Sequence, residues 1–189
     1  MPELEIMLFN SEQDWEQWLE EHHTTSPGTW LKIAKKEAGK ESVSYQEALT
    51  VALCFGWIDG QKNKFDNEYW LQKFTPRRPR SPWSAINRDK ATQLIEQSKM
   101  REAGLREVER ARQDGRWDTA YASQSKATVP DDLQAALDQN EAAKAFFEQL
   151  NSVNRYAILY RIQSAKKPET RQKRIAQFVE MLAEKKKLY

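Results

Sequence analysis

Cysteine occurs once in the 189 residues, histidine twice and glycine six times, and each scarcity closes off a class of chemistry. A lone Cys54 cannot form an intramolecular disulfide and offers no thiolate cluster to a metal. Its setting, Ala52-Leu53-Cys54-Phe55, is that of a buried, inert thiol. His22 and His23 are adjacent, so on a helix they diverge by about 100° and cannot share a metal in the i, i+4 manner. Beside Glu20 and Glu21 they read as solvated helix-end residues. The sequence has no glycine-rich phosphate loop, no Gly-x-Ser-x-Gly elbow and no His-x-x-x-His pair, which disfavours nucleotide-loop enzymes, esterases and common metallohydrolases. Nothing calls for a cofactor or a metal. Apolar runs are short too: none approaches the roughly 18 residues of a membrane span. The acidic start Met1-Pro2-Glu3-Leu4-Glu5-Ile6 lacks the basic n-region and apolar h-region of a secretion signal. The expectation is a cytoplasmic protein without membrane insertion.

What the chain does hold is large aromatics and unevenly placed charge. Apolar residues make up only 39%, but seven Trp, six Tyr and seven Phe can supply much of a core. The net charge of +2 is too mild to announce a nucleic-acid binder. Its distribution is more telling: residues 1–50 carry four basic and ten acidic groups, residues 60–101 ten and four, and residues 151–189 ten and three.

Periodicity and turn chemistry predict an α+β fold, a small antiparallel sheet with flanking helices followed by a helical C-terminal subdomain. A helix starts at Asn10-Ser11 and carries Trp15, Trp18 and Leu19 at helical spacing. A short strand over 29–36 follows the Pro27-Gly28 turn. Ser44 and Glu47 form a capping box for a helix that Gly56 ends. Residues 57–63 and 68–74 read as a hairpin with Phe65-Asp66-Asn67 at its turn. Ser81 as cap with Pro82 at the first helical position predicts a helix through Met100, closed by Gly104. A short helix then ends at Gly115. Ala122 to Pro130 is the best linker candidate, placing a domain over 1–125 and a helical subdomain over 126–189. The latter divides into helices over 131–137, 141–150, 153–166 and 169–186, with starts marked by Asn140 and Pro168.

Two segments concentrate chemistry: Phe55-Gly56-Trp57-Ile58-Asp59-Gly60, and Phe74 to Asn87 with its run Thr75-Pro76-Arg77-Arg78-Pro79-Arg80-Ser81-Pro82-Trp83. Guanidinium forks match phosphate or carboxylate bidentately, and a helix N-terminus after Ser81 adds free N–H groups and a positive dipole end. Arg77, Arg78, Arg80, Ser81, Trp83 and Asn87, with Trp57 and Asp59, are therefore the candidate ligand-binding residues. Trp57, Trp70 and Trp83 are candidates for a stacking wall. The competing structural reading has prolines 76, 79 and 82 holding an extended connector whose arginines pair with acidic residues. Asp59 is read as a partner for an arginine rather than a general base, because a lone carboxylate lacks a second titrating group to divide acid and base duties. No catalytic residue is assigned.

The same residues carry a family resemblance. Tyr45-Gln46-Glu47-Ala48, Ala52 to Gly60, Phe74-Thr75-Pro76-Arg77-Arg78, Ser81-Pro82-Trp83-Ser84 with Asn87, Met100 with Ala103-Gly104-Leu105, Asp114-Gly115-Arg116-Trp117-Asp118, and Glu169-Thr170-Arg171 with Arg174-Ile175 resemble the YdeI/OmpD-associated, or bacteriocin-protection, family. The resemblance implies a link to stress or bacteriocin resistance and to an outer-membrane porin, without a defined reaction. The function expected is a stress-associated protein that recognises a small anionic ligand or an acidic partner segment through its Arg/Trp site. Two alternatives stay open. One is weak, nonspecific nucleic-acid binding through the basic zones, the C-terminal one carrying Arg155, Arg161, Lys166, Lys167, Arg171, Lys173 and Arg174 with Tyr156 and Tyr160. The other is an enzyme using Asp59 with Arg77 or Arg78 on a phosphorylated or carboxylated small molecule.

Overall fold

The computed structural model describes residues 4–122 and 126–189, and the chain divides into two compact units, Met1–Trp83 with Asn87–Ala120, and Ser84–Ile86 with Tyr121–Tyr189. The first unit is built on a four-stranded sheet of order β1-β2-β4-β3, with β1 at Ile6–Met7, β2 at Thr29–Ala34, β3 at Trp57–Lys64 and β4 at Tyr69–Pro76. The β2–β4 and β3–β4 pairs are antiparallel. The two-residue β1 pairs with β2 in parallel, an addition to the predicted antiparallel sheet that its brevity hid from the sequence.

Ser11 and Ser44 close capping boxes on helices α1 (Glu12–His22) and α2 (Tyr45–Cys54), each cap side chain accepting from a backbone N–H three residues on. Such caps contribute about 1 kcal/mol apiece. Strand alternation sends Leu31, Ile33, Trp57 and Phe74 into a core with Trp15 and Leu19 of α1 and the apolar face of α2. Buried indoles there find acceptors: Trp15 donates to the Ala48 carbonyl and Trp57 to the His23 carbonyl, both at 3.1 Å. Helices α3 (Ala85–Glu96) and α4 (Glu102–Gln113) add Ala91, Leu94, Val108 and Ala111.

Two predicted boundaries move. The helix expected from Ser81 begins at Ala85, and residues 81–83 belong to no helix or strand; two arginine side chains engage the Ser81 and Pro82 carbonyls (below). Gly104 does not end α3, which stops at Glu96, but lies inside α4, where a Cβ would come within 2.4 Å of the Cys54 carbonyl and 2.7 Å of the Leu53 carbonyl. That glycine lets α4 cross the C-terminal end of α2. Gly56, with φ of +73°, is the left-handed residue expected after α2.

The second unit is helical, with α5 (Asp131–Asp138), α6 (Glu141–Gln149), α7 (Ser152–Gln163) and α8 (Pro168–Ala183) around Leu133, Leu137, Phe147, Ile158, Ile162 and Leu182. Asn140 and Asn151 cap α6 and α7, and Pro168 opens α8. Of the linker expected over 122–130, residues 123–125 lie outside the described residues.

Candidate functional site

Asp59 stands on β3 at the last regular pair before a bulge, since Asp59 faces Phe74 and the register resumes at Lys62 opposite Gln72. Bulges re-aim side chains and recur beside functional sites. Here the buried Gln72 amide repairs the interruption by donating to the Gly60 and Gln61 carbonyls at 3.0 and 3.2 Å. The half-buried Asp59 carboxylate accepts from the Tyr45 hydroxyl at 2.9 Å and from the Asn87 amide at 3.3 Å. The start of α2, strand β3 and helix α3 are thus joined at one carboxylate.

Arg77 follows β4 directly, and its backbone N–H donates to the Gly56 carbonyl at 3.0 Å. Its guanidinium lies 3.6 Å from the centroid of the Trp83 ring, and Nη1 donates to the Pro82 carbonyl at 3.3 Å. Arg116 completes the cluster. Gly115, with φ of +75°, turns the chain after α4, and Arg116 donates from Nε to Asp114 at 2.7 Å and from Nη1 to the Ser81 carbonyl at 2.7 Å. Two buried guanidiniums, each 6% exposed, thereby hold consecutive carbonyls on either side of the peptide leading to Trp83. The Trp83 ring meets Trp117 edge-on at 4.9 Å, and Arg112 lies 5.3 Å from the centroid of the Trp117 ring. Two buried donors in this cluster, the Trp83 indole N–H and Nη2 of Arg116, have no hydrogen-bond acceptor among the described residues. Buried donors are nearly always satisfied, so such a pair marks a place that favours an acceptor or an anion.

The structure therefore brings Asp59 together with Asn87, and Arg77 with Trp83. Arg78 and Arg80 are exposed, and the Arg78 backbone N–H donates to Ser81 Oγ, which closes a turn rather than capping a helix. The helix-dipole part of the expected anion site does not form at Ser81: α3 begins at Ala85, whose N–H donates to the Tyr121 carbonyl. Nor do Trp57, Trp70 and Trp83 make one stacking wall. Trp57 is 1% exposed in the core against Trp15 and Trp18, Trp70 lies by Tyr45 and Lys62, and Trp83 lies by Arg77 and Trp117. Tyr45 and Arg116 are site residues that sequence reasoning passed over. Their signals were present as Tyr45 directly after a helix cap and as Arg116 directly after an Asp-Gly turn.

Other reactive side chains are occupied. Burial pushes the Cys54 thiol up to about 11, with the Glu16 charge adding to it, so the thiolate is scarce at neutral pH. His22 and His23 are half-buried rather than solvated, with Nδ1 of each 2.8 Å from the Trp18 or Leu19 carbonyl and the His22 ring stacked on Trp18. Among the described residues no group of three or more His, Cys, Asp or Glu is placed to hold a metal, and no helix is long and apolar enough to cross a membrane.

Comparison with known families divides the chain where its chemistry divides. Residues 7–107, which contain Asp59, Arg77 and Trp83, match a family described as a domain of unknown function, DUF8412. The chain belongs to the DUF8412 family. Residues 126–185 match the family described as "Bacteriocin-protection, YdeI or OmpD-Associated", so the helical C-terminal region carries that domain. Of the motifs that suggested the YdeI/OmpD-associated family, only Glu169-Thr170-Arg171 and Arg174-Ile175 fall inside that match; those from Tyr45 to Leu105 fall in the DUF8412 domain. No match was found among curated proteins or solved structures.

Proposed function

We propose that the DUF8412 domain is a binding module for a small anionic ligand or an acidic partner segment, recognised by the Arg77–Trp83–Arg116 cluster. The observation that carries this reading is the pair of buried donors without acceptors, Trp83 Nε1 and Arg116 Nη2, beside two buried guanidiniums. Cationic groups held by backbone carbonyls and an indole face are preorganised, so an anion need not meet the cost of ordering them. Arg78, Arg80 and Ser81 border the cluster in sequence and supply further donors. Asp59 and Asn87, tied to Tyr45, act as a polar support on which anionic groups are discriminated by repulsion, while Trp57 anchors β3 beneath them. The protective setting rests on the description of the family matched by residues 126–185, which names bacteriocin protection; the stress association is part of the proposal. An enzymatic role for Asp59 has less behind it, because its carboxylate accepts from two neutral donors, Tyr45 and Asn87.

The test is calorimetric titration with phosphate-, carboxylate- and sulfonate-bearing small molecules and with an acidic peptide, at low and moderate salt. Trp83→Phe keeps the ring and deletes the N–H, and Arg78→Ala removes an exposed charge. Selective binding that survives moderate salt, weakens about tenfold in Trp83→Phe and persists in Arg78→Ala is the expected result, in line with a hydrogen bond to a charged group. Equal binding by the wild type and Trp83→Phe, or no heat with any anion, would overturn the reading.

A further inference from the structure

The sheet of the first unit has a second face, and its composition differs from that of the core face. Register places Trp30 opposite Lys73, Lys32 opposite Leu71, and Ala34 opposite Tyr69, all on the side away from Leu31, Ile33 and Phe74. Trp30, Lys32, Tyr69 and Lys73 are half-buried, and none of them belongs to the core cluster. Lysines and rings interleave. Lys32 Nζ lies 4.7 Å from the Phe65 centroid and 4.5 Å from that of Tyr69, while Lys73 Nζ lies 5.7 Å from that of Trp30. Phe65, at the hairpin turn, is 44% exposed. A separate cleft of about 900 Å³ lies at the hairpin end, where register puts Lys62 and Lys64 with Trp70 on the other face of the sheet; Glu37 and Asp66 line it beside Lys35 and Lys36.

Among the described residues, Lys32, Lys35, Lys36, Lys62, Lys64 and Lys73 form no ion pair with a carboxylate; Lys40, nearby, pairs with Glu68. In the C-terminal basic zone Lys166, Lys167, Lys173, Lys185 and Lys187 likewise form no ion pair among the described residues, but the arginines are engaged. There Arg171 is spent on Asp132 and the Ile162 carbonyl, Arg174 on the Arg161 carbonyl, and Arg155 on the Glu148 carbonyl. Arginines in the second unit hold helix ends together, whereas Lys32 and Lys73 on the outer sheet face form no ion pair among the described residues; the Asp66 carboxyl, lowered chiefly by the Tyr69 N–H, feels the Lys32 charge from the hairpin turn.

We infer that this outer sheet face, from Trp30 to the hairpin end, binds single-stranded nucleic acid. Aromatic rings on an open sheet are stacking platforms for bases that a duplex would keep enclosed, and unpaired lysines between them meet the phosphates. Strand rise sets Trp30 and Tyr69 roughly 13 Å apart along the sheet, with Lys32 between. The interleaving suits an extended strand, whose bases and phosphates alternate. The inference is independent of the Arg77–Trp83 cluster, which lies at the other end of β4.

Fluorescence anisotropy of a labelled oligothymidylate of about fifteen nucleotides tests it, since that length fills a typical single-strand site. With about four phosphates neutralised, affinity should fall about fifty-fold between roughly 50 and 200 mM salt. The double variant Lys32→Ala/Lys73→Ala should weaken binding about tenfold and flatten the salt slope. Trp30→Leu and Tyr69→Leu should each weaken it about tenfold with the slope unchanged, because stacking is not ionic. Should a leucine variant not fold, judged by circular dichroism, the lysine pair decides. No anisotropy change at about 50 mM salt, binding indifferent to the lysine pair, or equal displacement by a duplex or by polyglutamate would overturn the inference.

Discussion

The two units bury different kinds of residue. All seven tryptophans lie before residue 121, and of the six buried polar residues among those described, five, Thr29, Gln72, Arg77, Asn87 and Arg116, belong to the first unit. The second unit buries leucine, isoleucine and phenylalanine around a single polar residue, Asn154, whose work is structural. Its Oδ1 accepts from the backbone N–H groups of Leu188 and Tyr189, and its amide donates to the Tyr189 carbonyl, tying down the C-terminus. Buried polarity closes a chain end in one unit; in the other it ties Glu5, just before β1, to β2 through Thr29, repairs a bulge through Gln72, holds Asp59 through Asn87 and gathers Arg77 and Arg116 around the Trp83 segment. Among the described residues two buried donors of the Trp83 cluster lack acceptors, which is why the proposed recognition site is placed in the first unit.

That contrast can be broken most forcefully at Gly104. Gly104→Val drives a branched side chain against the Leu53 and Cys54 carbonyls, backbone atoms that cannot step aside, and should destabilise the first unit by about 3 kcal/mol. Tryptophan emission during urea unfolding reads this unit alone, because the second has no tryptophan. An unchanged midpoint would show that α4 is not held against α2 as described.

Asn154→Ala sharpens the other side of the comparison. It leaves the Leu188 and Tyr189 N–H groups without acceptors, at a cost of about 2 kcal/mol. Amide exchange at those two positions should lose its protection while native tryptophan emission stays the same. Retained protection would mean that the C-terminus is held by packing alone.

The smallest effect concerns Asp132, whose pKa is lowered chiefly by its hydrogen bond from Arg171. A carboxylate lowered on folding adds stability above its ordinary value of about 3.9 and loses it as pH falls through the lower folded value. With 45% of the Asp132 side chain exposed, solvent screening leaves a few tenths of a kcal/mol, about 0.3. Asp132→Asn should lower the urea midpoint slightly at pH near 6 and not at pH near 2. An equal change at both would assign the effect to shape rather than charge.

Much of the architecture was legible because its signals are local. Ser44 and Glu47, three apart, can satisfy each other's backbone only at a helix start, and the structure has that box. Asn140 and Pro168 open α6 and α8 for equally local reasons. At the site, Asp59, Arg77, Trp83 and Asn87 could be named from residue type, but their pairing could not. Asp59 was expected beside an arginine, and it accepts from Tyr45, fourteen residues before it, and Asn87, twenty-eight after.

Ser81-Pro82 shows why the remainder lay out of reach. As a dipeptide it is a sound helix start. In the folded chain Arg116 takes the Ser81 carbonyl from thirty-five residues away and Arg77 takes that of Pro82, so the segment stays out of the helix, which waits until Ala85. Caps, periodicity and turns depend on neighbours along the chain, and the sequence by itself determined them: the order of elements, the division into an α+β region and a helical one, and the residue types that can hold an anion. Which guanidinium meets which carbonyl, which tryptophan faces the core and which lysines lack a carboxylate were decided only by tertiary structure. Those contacts join residues far apart in sequence, and their free energies exceed the local preferences they override.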